Sequence, residues 1–371
     1  MPAVRRVAFF STRFCQYSQT FVYEEVRNHQ RYAVEIFCRK RINAELFPYE
    51  PVHVDPGPLY RFARRSARFD RLFRSRDYAL VHAHFGTTAI NAAPFARRFK
   101  KPLVVTFQGY DVPLLASYER LLPRRWTYAL LGPRMLEQMT LGLCVSRDLL
   151  ELLREIGVPE EKLLVHNTGI DLEKFKAGRR DPERPQVTMV GRFVEKKGFE
   201  YGIRAFAKAT RHHAAHLTLA GGGPLEERYR KLVADLGISE RVHFAGVLPA
   251  SEVAALLGRS DVVLVPSVVA ASGNREGAPT VIKEASAAEA VPIGSYHGGI
   301  SELITDGETG FLAPERDVDA LAAKLDTLLA HPEQRAQLAK AARHRMELEF
   351  DARKCTALLE ERYDEAIRRF A

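Results

Sequence analysis

The sequence predicts an α/β protein of two doubly wound, Rossmann-like domains. Three observations carry this. Short apolar runs of about four to eight residues, the length of buried parallel strands, recur along the chain. Segments with an apolar stripe of helical period lie between them. The series halts at a polar stretch, residues 176–185 (KAGRRDPERP), and then begins again. Two strand–helix series give two parallel sheets. Ligands of such sheets bind beyond the carboxyl ends of the strands, so a central cleft between the domains is the expected site.

In order, residues 4–10 read as the first strand, 19–30 as a helix and 33–38 as the second strand. Residues 79–84, 103–107 and 141–145 are further strands. In the second series, 187–190 is a strand entering Gly191, 199–212 a helix, and 217–220 a strand running into Gly221-Gly222-Gly223. Residues 224–236 form a helix whose Leu225, Tyr229, Leu232, Val233 and Leu236 share one face. Strands follow at 242–244, 261–266 and 291–294, and Leu321, Leu325, Leu328 and Leu329 mark a helical end. The expected domains are 1–175 and 176–350, with 351–371 a helix crossing back to the first.

Composition narrows the function. Of 371 residues 46% are hydrophobic, too many for a disordered chain. No stretch approaches the ~18 uninterrupted apolar residues of a membrane span. The first apolar run is too short for a signal-peptide core. Cys15, Cys38, Cys144 and Cys355 form no Cys-x-x-Cys pair and have no zinc spacing. That argues for a reducing compartment, simplest the cytoplasm, and against a disulfide framework or structural metal. The net charge of +9 is uneven: residues 1–180 hold 30 Lys+Arg against 18 Asp+Glu, and the remainder 25 against 28. The first half therefore suits a polyanionic partner: nucleic acid, an anionic membrane surface or a phosphorylated substrate.

Several motifs could carry chemistry. Gly191-Arg192-Phe193-Val194-Glu195-Lys196-Lys197-Gly198 follows a strand and precedes a helix. Cations near a helix N-terminus suit a diphosphate, although an exposed, solvated turn has the same composition. Glu276 and Glu284 are eight apart, the first in a Gly/Pro loop and the second within a helix. Carboxylates accept paired hydroxyls, so one could hold sugar hydroxyls and the other a ribose diol. The three glycines after residue 220 permit close backbone approach or simply a tight turn. Asp317-Val318-Asp319 reads as the capped start of a helix rather than a metal motif. His82 and His84 share a strand face, without an evident third ligand. From Leu59 to Arg76 the chain reads LYRFARRSARFDRLFRSR, with seven arginines and one aspartate. A basic amphipathic helix there could meet an anionic membrane or dock on its own domain. Arg97, Arg98, Lys100, Lys101, Arg120, Arg124 and Arg125 favour the membrane.

Together these pieces resemble retaining glycosyltransferases of family 4, with the GT-B fold. GRFVEKKG, LAGGGP, VHFAGVLP, DVVLVPS, EGAPTVIKEA and GETGFLAP match the C-terminal domain of that family in order and spacing. His166-Asn167-Thr168-Gly169-Ile170-Asp171 with Phe175 is similar to its interdomain segment. Ser18-Gln19-Thr20-Phe21, Val81-His82-Ala83-His84-Phe85 and Thr106-Phe107-Gln108-Gly109-Tyr110-Asp111 resemble the branch that builds exopolysaccharides of the colanic-acid type.

The resemblance implies that Arg192 and Lys197 bind the donor diphosphate and stabilise the departing nucleotide. Glu276 would face the donor sugar, beside Gly277, Ala278, Pro279 and Thr280. Glu284 would bind the ribose, Gly246 and Val247 would line the nucleobase pocket, and Gln108 would lie near the transferring sugar; from its strand end His84 is read as near the cleft and a substrate-binding candidate, and His82 as packed or hydrogen-bonded, a structural role being the favoured reading for both. It implies no resident cofactor and no metal, the nucleotide diphosphate sugar being a substrate. The expected acceptor is a saccharide, lipid-linked, and the expected location the cytoplasm at the inner face of the membrane. Gln108 departs from the histidine of many relatives, the loop at 11–18 lacks their paired glycines, Glu289 stands where a glycine is usual, and Pro292 comes one residue late. The rival reading is a non-catalytic nucleotide-sugar-binding subunit. A dinucleotide oxidoreductase fits poorly without Gly-x-Gly-x-x-Gly, and no motif supports nucleic acid binding.

Overall fold

A computed structural model describes residues 4–116 and 126–371. Arg120, Arg124 and Arg125 lie outside the described residues. Two compact units emerge: residues up to Gly169 together with Ala352–Ala371, and Ile170–Asp351. The polar stretch at 176–185 falls within the second unit. The Gly178 N–H donates to Gly258 O at 2.8 Å, and Arg180 Nη2 donates to Ala288 O at 2.7 Å, which packs the stretch onto the second unit.

The first unit is built on β1 (Arg5–Phe14), whose residues Val7 to Phe10 are wholly buried. Pairing with the second strand continues to Phe14, so much of the expected loop at 11–18 is strand. There follow α1 (Thr20–Arg27), β2 (Tyr32–Arg41), β3 (Val52–Val54), α2 (Ala67–Ser75), β4 (Tyr78–His84), α3 (Gly86–Arg98), β5 (Leu103–Phe107), α4 (Pro113–Ala116), α5 (Trp126–Gln138), β6 (Leu141–Cys144), α6 (Arg147–Glu155) and β7 (Leu163–Val165). The strands are parallel in the order β3-β2-β1-β4-β5-β6-β7, so the winding reverses between β1 and β4.

The second unit contains β8 (Gln186–Val190), α7 (Phe199–Ala209), β9 (His216–Ala220), α8 (Glu226–Asp235), β10 (Val242–Gly246), α9 (Ala250–Arg259), β11 (Val262–Val265), α10 (Thr280–Ala287), β12 (Val291–Ser295), α11 (Ile300–Leu303), β13 (Phe311–Ala313), α12 (Val318–Ala330) and α13 (Pro332–Glu349). Its parallel order is β10-β9-β8-β11-β12-β13, reversing between β8 and β11. The carboxyl ends of strands at such a reversal leave room for a ligand. As expected, Asp317 is a helix cap: its side chain accepts the Ala320 N–H. Glu289 takes a left-handed conformation at φ 57°, the geometry a glycine would adopt freely.

The last helix, α14 (Ala352–Phe370), belongs to the first unit. Buried Glu360 accepts the N–H groups of Gln30, Arg31 and Tyr32 on one oxygen, and Tyr363 OH meets His82 Nδ1 at 2.7 Å.

The basic segment from Leu59 to Arg76 is not one helix. Leu59–Ala63 forms a π-helical turn, Arg64 reverses at φ 56°, and the Ser66 side chain accepts the Phe69 N–H to start α2 afresh. No glycine or asparagine announces the break.

Candidate functional site

The strongest convergence lies at the reversal point of the second sheet. After β8 the chain turns through a short 3₁₀ segment, Glu195–Lys197, that ends at Gly198. Gly198 has φ 62°, and a Cβ there would lie 1.8 Å from Pro266 O, so only glycine fits. This turn aims Lys196 and Lys197 toward the loop that follows β11. That loop is tied back to it: the Val268 N–H donates to Lys196 O, and the Ala271 N–H to Glu195 Oε1 at 3.0 Å.

The loop delivers Glu276, buried at 6% exposure. Lys197 Nζ is 2.9 Å from its Oε1 and Lys196 Nζ 3.6 Å. Burial pushes the Glu276 carboxyl up, but Lys197 and then Lys196 overcome this and hold it at about 2. Burial in turn lowers the Lys196 ammonium against the pull of Glu276. Arg192 is exposed and, among the described residues, forms no ion pair. A free guanidinium thus stands near two lysines at a strand end, a site with surplus positive charge.

Two residues that the sequence reading did not single out fix Glu276 from behind. His297 Nε2 accepts the Glu276 N–H at 3.1 Å, and His297 Nδ1 lies 2.6 Å from Glu315 Oε1. The other Glu315 oxygen accepts the Val269 N–H at 3.0 Å. Histidine and glutamate come from separate loops, so no local motif marks them.

Glu284 sits in the second turn of α10, half-buried. Among the described residues its carboxylate makes no hydrogen bond or ion pair, and burial raises that carboxyl to about 7 against the pull of Lys283 and Lys197. Gly277, Ala278 and Pro279 lead into α10, whose first residue is Thr280. The first N–H groups of a helix have no intrahelical acceptor and favour an anion. Gly246 ends β10 beside the glycine turn and Val247 follows it: Gly246 O accepts the Gly221 N–H at 2.7 Å, and Val247 is 78% exposed. An exposed valine next to a turn free of side chains is a flat apolar platform.

Gln108 and His84 belong to the first unit. Gln108 Nε2 lies 3.0 Å from His84 Nδ1, and His84 Nε2 2.7 Å from Glu25 Oε1. Burial pushes the Glu25 carboxyl up, but His84 beside it holds it at about 2. Glu25, His82 and His84 could converge on a metal ion, so a third ligand does exist, 57 residues before His82 in sequence. Every ring nitrogen of the two histidines already has a protein partner, His82 through Tyr363 and Thr106. The geometry is that of a buried hydrogen-bond chain ending at the Gln108 amide.

Residues 171–345 match the family model for Glycosyl transferases group 1, and residues 19–174 that for Glycosyltransferase Family 4. The amylovoran biosynthesis glycosyltransferase AmsK of Erwinia amylovora is 32% identical over 278 residues, 74% of this chain and 67% of that protein. The chain belongs to glycosyltransferase family 4. Another similar family protein is the GDP-mannose-dependent alpha-(1-6)-phosphatidylinositol monomannoside mannosyltransferase of Mycolicibacterium smegmatis, 28% identical over 88% of each chain. The glycosyltransferase fold also matches Anabaena Alr3699/HepE, solved with UDP-glucose, at TM-score 0.79 and 17% identity over 97% of this chain and 99% of that one. A sucrose-phosphate synthase from Thermosynechococcus elongatus matches at TM-score 0.78 and 21% identity, over 97% and 98%. These likenesses establish the GT-B fold for this glycosyltransferase. Among the described residues no helix is long and apolar enough to cross a membrane.

Proposed function

We propose that this glycosyltransferase acts with retention of configuration, moving a sugar from a UDP- or GDP-sugar to a lipid-linked saccharide in polysaccharide or glycoconjugate synthesis. The observation that carries the reading is the surplus cation cluster over buried Glu276, with Glu284, whose carboxylate has no partner among the described residues, on the helix that follows.

In this reaction the anomeric C–O bond of the donor breaks and the nucleoside diphosphate leaves with the electron pair. The acceptor hydroxyl forms the new bond to the anomeric carbon on the same face, and its proton passes to the departing phosphate oxygen. Negative charge grows on the diphosphate. Arg192 and Lys197 stabilise that charge more than the ground state, which lowers the barrier without a divalent ion. Glu276 orients hydroxyls of the donor sugar, Glu284 accepts the ribose diol, and Val247 with Gly246 takes the base. The first unit holds the acceptor, with the Gln108 amide directed by His84 and Glu25. Names of similar proteins support this: one uses GDP-mannose on a phosphatidylinositol glycolipid, and one was solved with UDP-glucose.

Peripheral membrane contact at the inner face is part of the reading. Leu59 and Phe62 are each 69% exposed on a turn surrounded by arginines, a pairing suited to an anionic bilayer.

The test is calorimetric titration with UDP, GDP and ADP in EDTA, followed by turnover with the sugar nucleotide of the preferred base. Tight binding of one nucleotide without metal, weakened by Glu284→Ala, is expected. Binding that requires a divalent ion, or binding without turnover on any lipid-linked acceptor, would overturn the metal-free or the catalytic part respectively.

A further inference from the structure

Four arginines help line a surface basin of about 530 Å³ on the first unit, which Ala63, Arg64, Arg65, Pro94, Arg97 and Arg98 enclose. Two come from the end of the Leu59–Ala63 turn and two from the last turn of α3. Both supports are anchored. Tyr60 is buried, its ring 5.0 Å from Phe69 and 6.3 Å from Phe95, and the Arg64 and Arg65 N–H groups bond back to Tyr60 O and Leu59 O. Phe95 itself is buried one turn before the α3 arginines.

Charge balance in the basin is poor. Arg98 is neutralised by Asp70, at 2.5 and 2.6 Å. Among the described residues no carboxylate pairs with Arg64, Arg65 or Arg97. The Arg64 side chain donates one bond, to Phe62 O, while its Nε has no acceptor among the described residues. The C-terminal end of α3 has the wrong partial charge for an anion, so guanidinium groups must supply all the attraction. Planar forks on fixed supports match the oxygens of a phosphate group.

We propose that Arg64, Arg65 and Arg97, with Arg98 as a fixed wall, form a phosphate-binding pocket that takes the headgroup phosphate of an anionic phospholipid. The lipid source rests on the membrane contact proposed above. It follows from Leu59 and Phe62, which project large apolar side chains into solvent from the same turn that supplies Arg64 and Arg65. A pocket for a soluble anion has no use for them. The headgroup would sit among the arginines while the two apolar side chains enter the acyl region. The basic segment thus acts as a receptor for one chemical group, and the break at Arg64 is what shapes it.

The experiment is co-sedimentation of the full chain with phosphatidylcholine vesicles containing phosphatidylglycerol, comparing R64Q/R97Q with R71Q/R74Q. Both pairs remove two charges, but Arg71 and Arg74 lie on the neighbouring face of α2, outside the basin. The expected result is a loss of about tenfold or more in vesicle affinity for R64Q/R97Q and much less for R71Q/R74Q. Equal losses would overturn the pocket and leave a diffuse membrane contact. Should the wild type ignore vesicles, the membrane reading fails and titration with glycerol phosphate decides the pocket. Binding lost in R64Q/R97Q then supports a phosphate site with a soluble ligand, and identical titrations overturn it.

Discussion

His297 and Glu315 share a hydrogen whose position the structure fixes. His297 Nε2 accepts the Glu276 N–H, so it carries no hydrogen, and Nδ1 must donate to Glu315 Oε1 at 2.6 Å. The imidazole thus acts as a strut between two loops. His297→Ala should lower kcat by about 10–100-fold through misplacement of Glu276, with little change in nucleotide affinity. His297→Gln offers one acceptor and one donor and should recover most of the loss. Equal kcat in all three proteins would remove the strut from the mechanism.

Arg192 and Lys197 should separate rate from stability. Arg192 is exposed and unpaired among the described residues, so Arg192→Ala should cost about 10²–10³ in kcat and leave the melting temperature unchanged. Lys197 also pairs with buried Glu276, so Lys197→Ala should lose rate and about 1–3 kcal/mol of stability. The loss stays below the ~3–5 kcal/mol of a broken buried pair because Lys196 remains nearby. Steady-state kinetics with urea melts on both variants would check this.

Glu284 should make nucleotide binding depend on pH. Its carboxyl stands at about 7 in the free protein, and only the ionised form accepts two hydroxyls. Affinity should rise with pH up to about 7 and then level off. Near neutrality binding should release a fraction of a proton, seen as a buffer-dependent calorimetric enthalpy. In Glu284→Gln both effects should vanish, with about 10–100-fold weaker binding.

Acid should unfold the protein through Glu25, Glu35 and Glu276, each held at about 2. Their folded values lie below the unfolded ones, so their stabilisation is full above about pH 4.5 and disappears as pH falls toward 2. For Glu276 alone this amounts to on the order of 3 kcal/mol. Glu284 has the opposite sign: its contribution is full below about 4.5 and lost as pH rises through about 7. Urea midpoints at pH 7, 4.5 and 3 should fall most between the last two.

Much of this was legible in the sequence because the signals were local. Short apolar runs marked β1, β4, β5 and β8, and the lysine turn before Gly198 showed a strand end meeting a helix. The three-residue strands β3, β7 and β13 were not, since so short a run shows no periodicity. His297, Glu315 and Glu25 escaped because their partners lie 18 to 59 residues away and meet only through sheet register. The break at Arg64 was invisible, as an arginine with positive φ is imposed by packing rather than by its own preference.

The return of α14 to the first unit has a consequence for how the chain is made. The backbone N–H groups of residues 30–32 donate to Glu360, and His82 meets Tyr363. On the ribosome, the first sheet emerges early and must wait for the entire second unit before its last helix arrives. Through that interval it is an unfinished body with polar groups and a core face uncovered. A nonsense mutation near Ala352 would therefore injure the domain synthesised first.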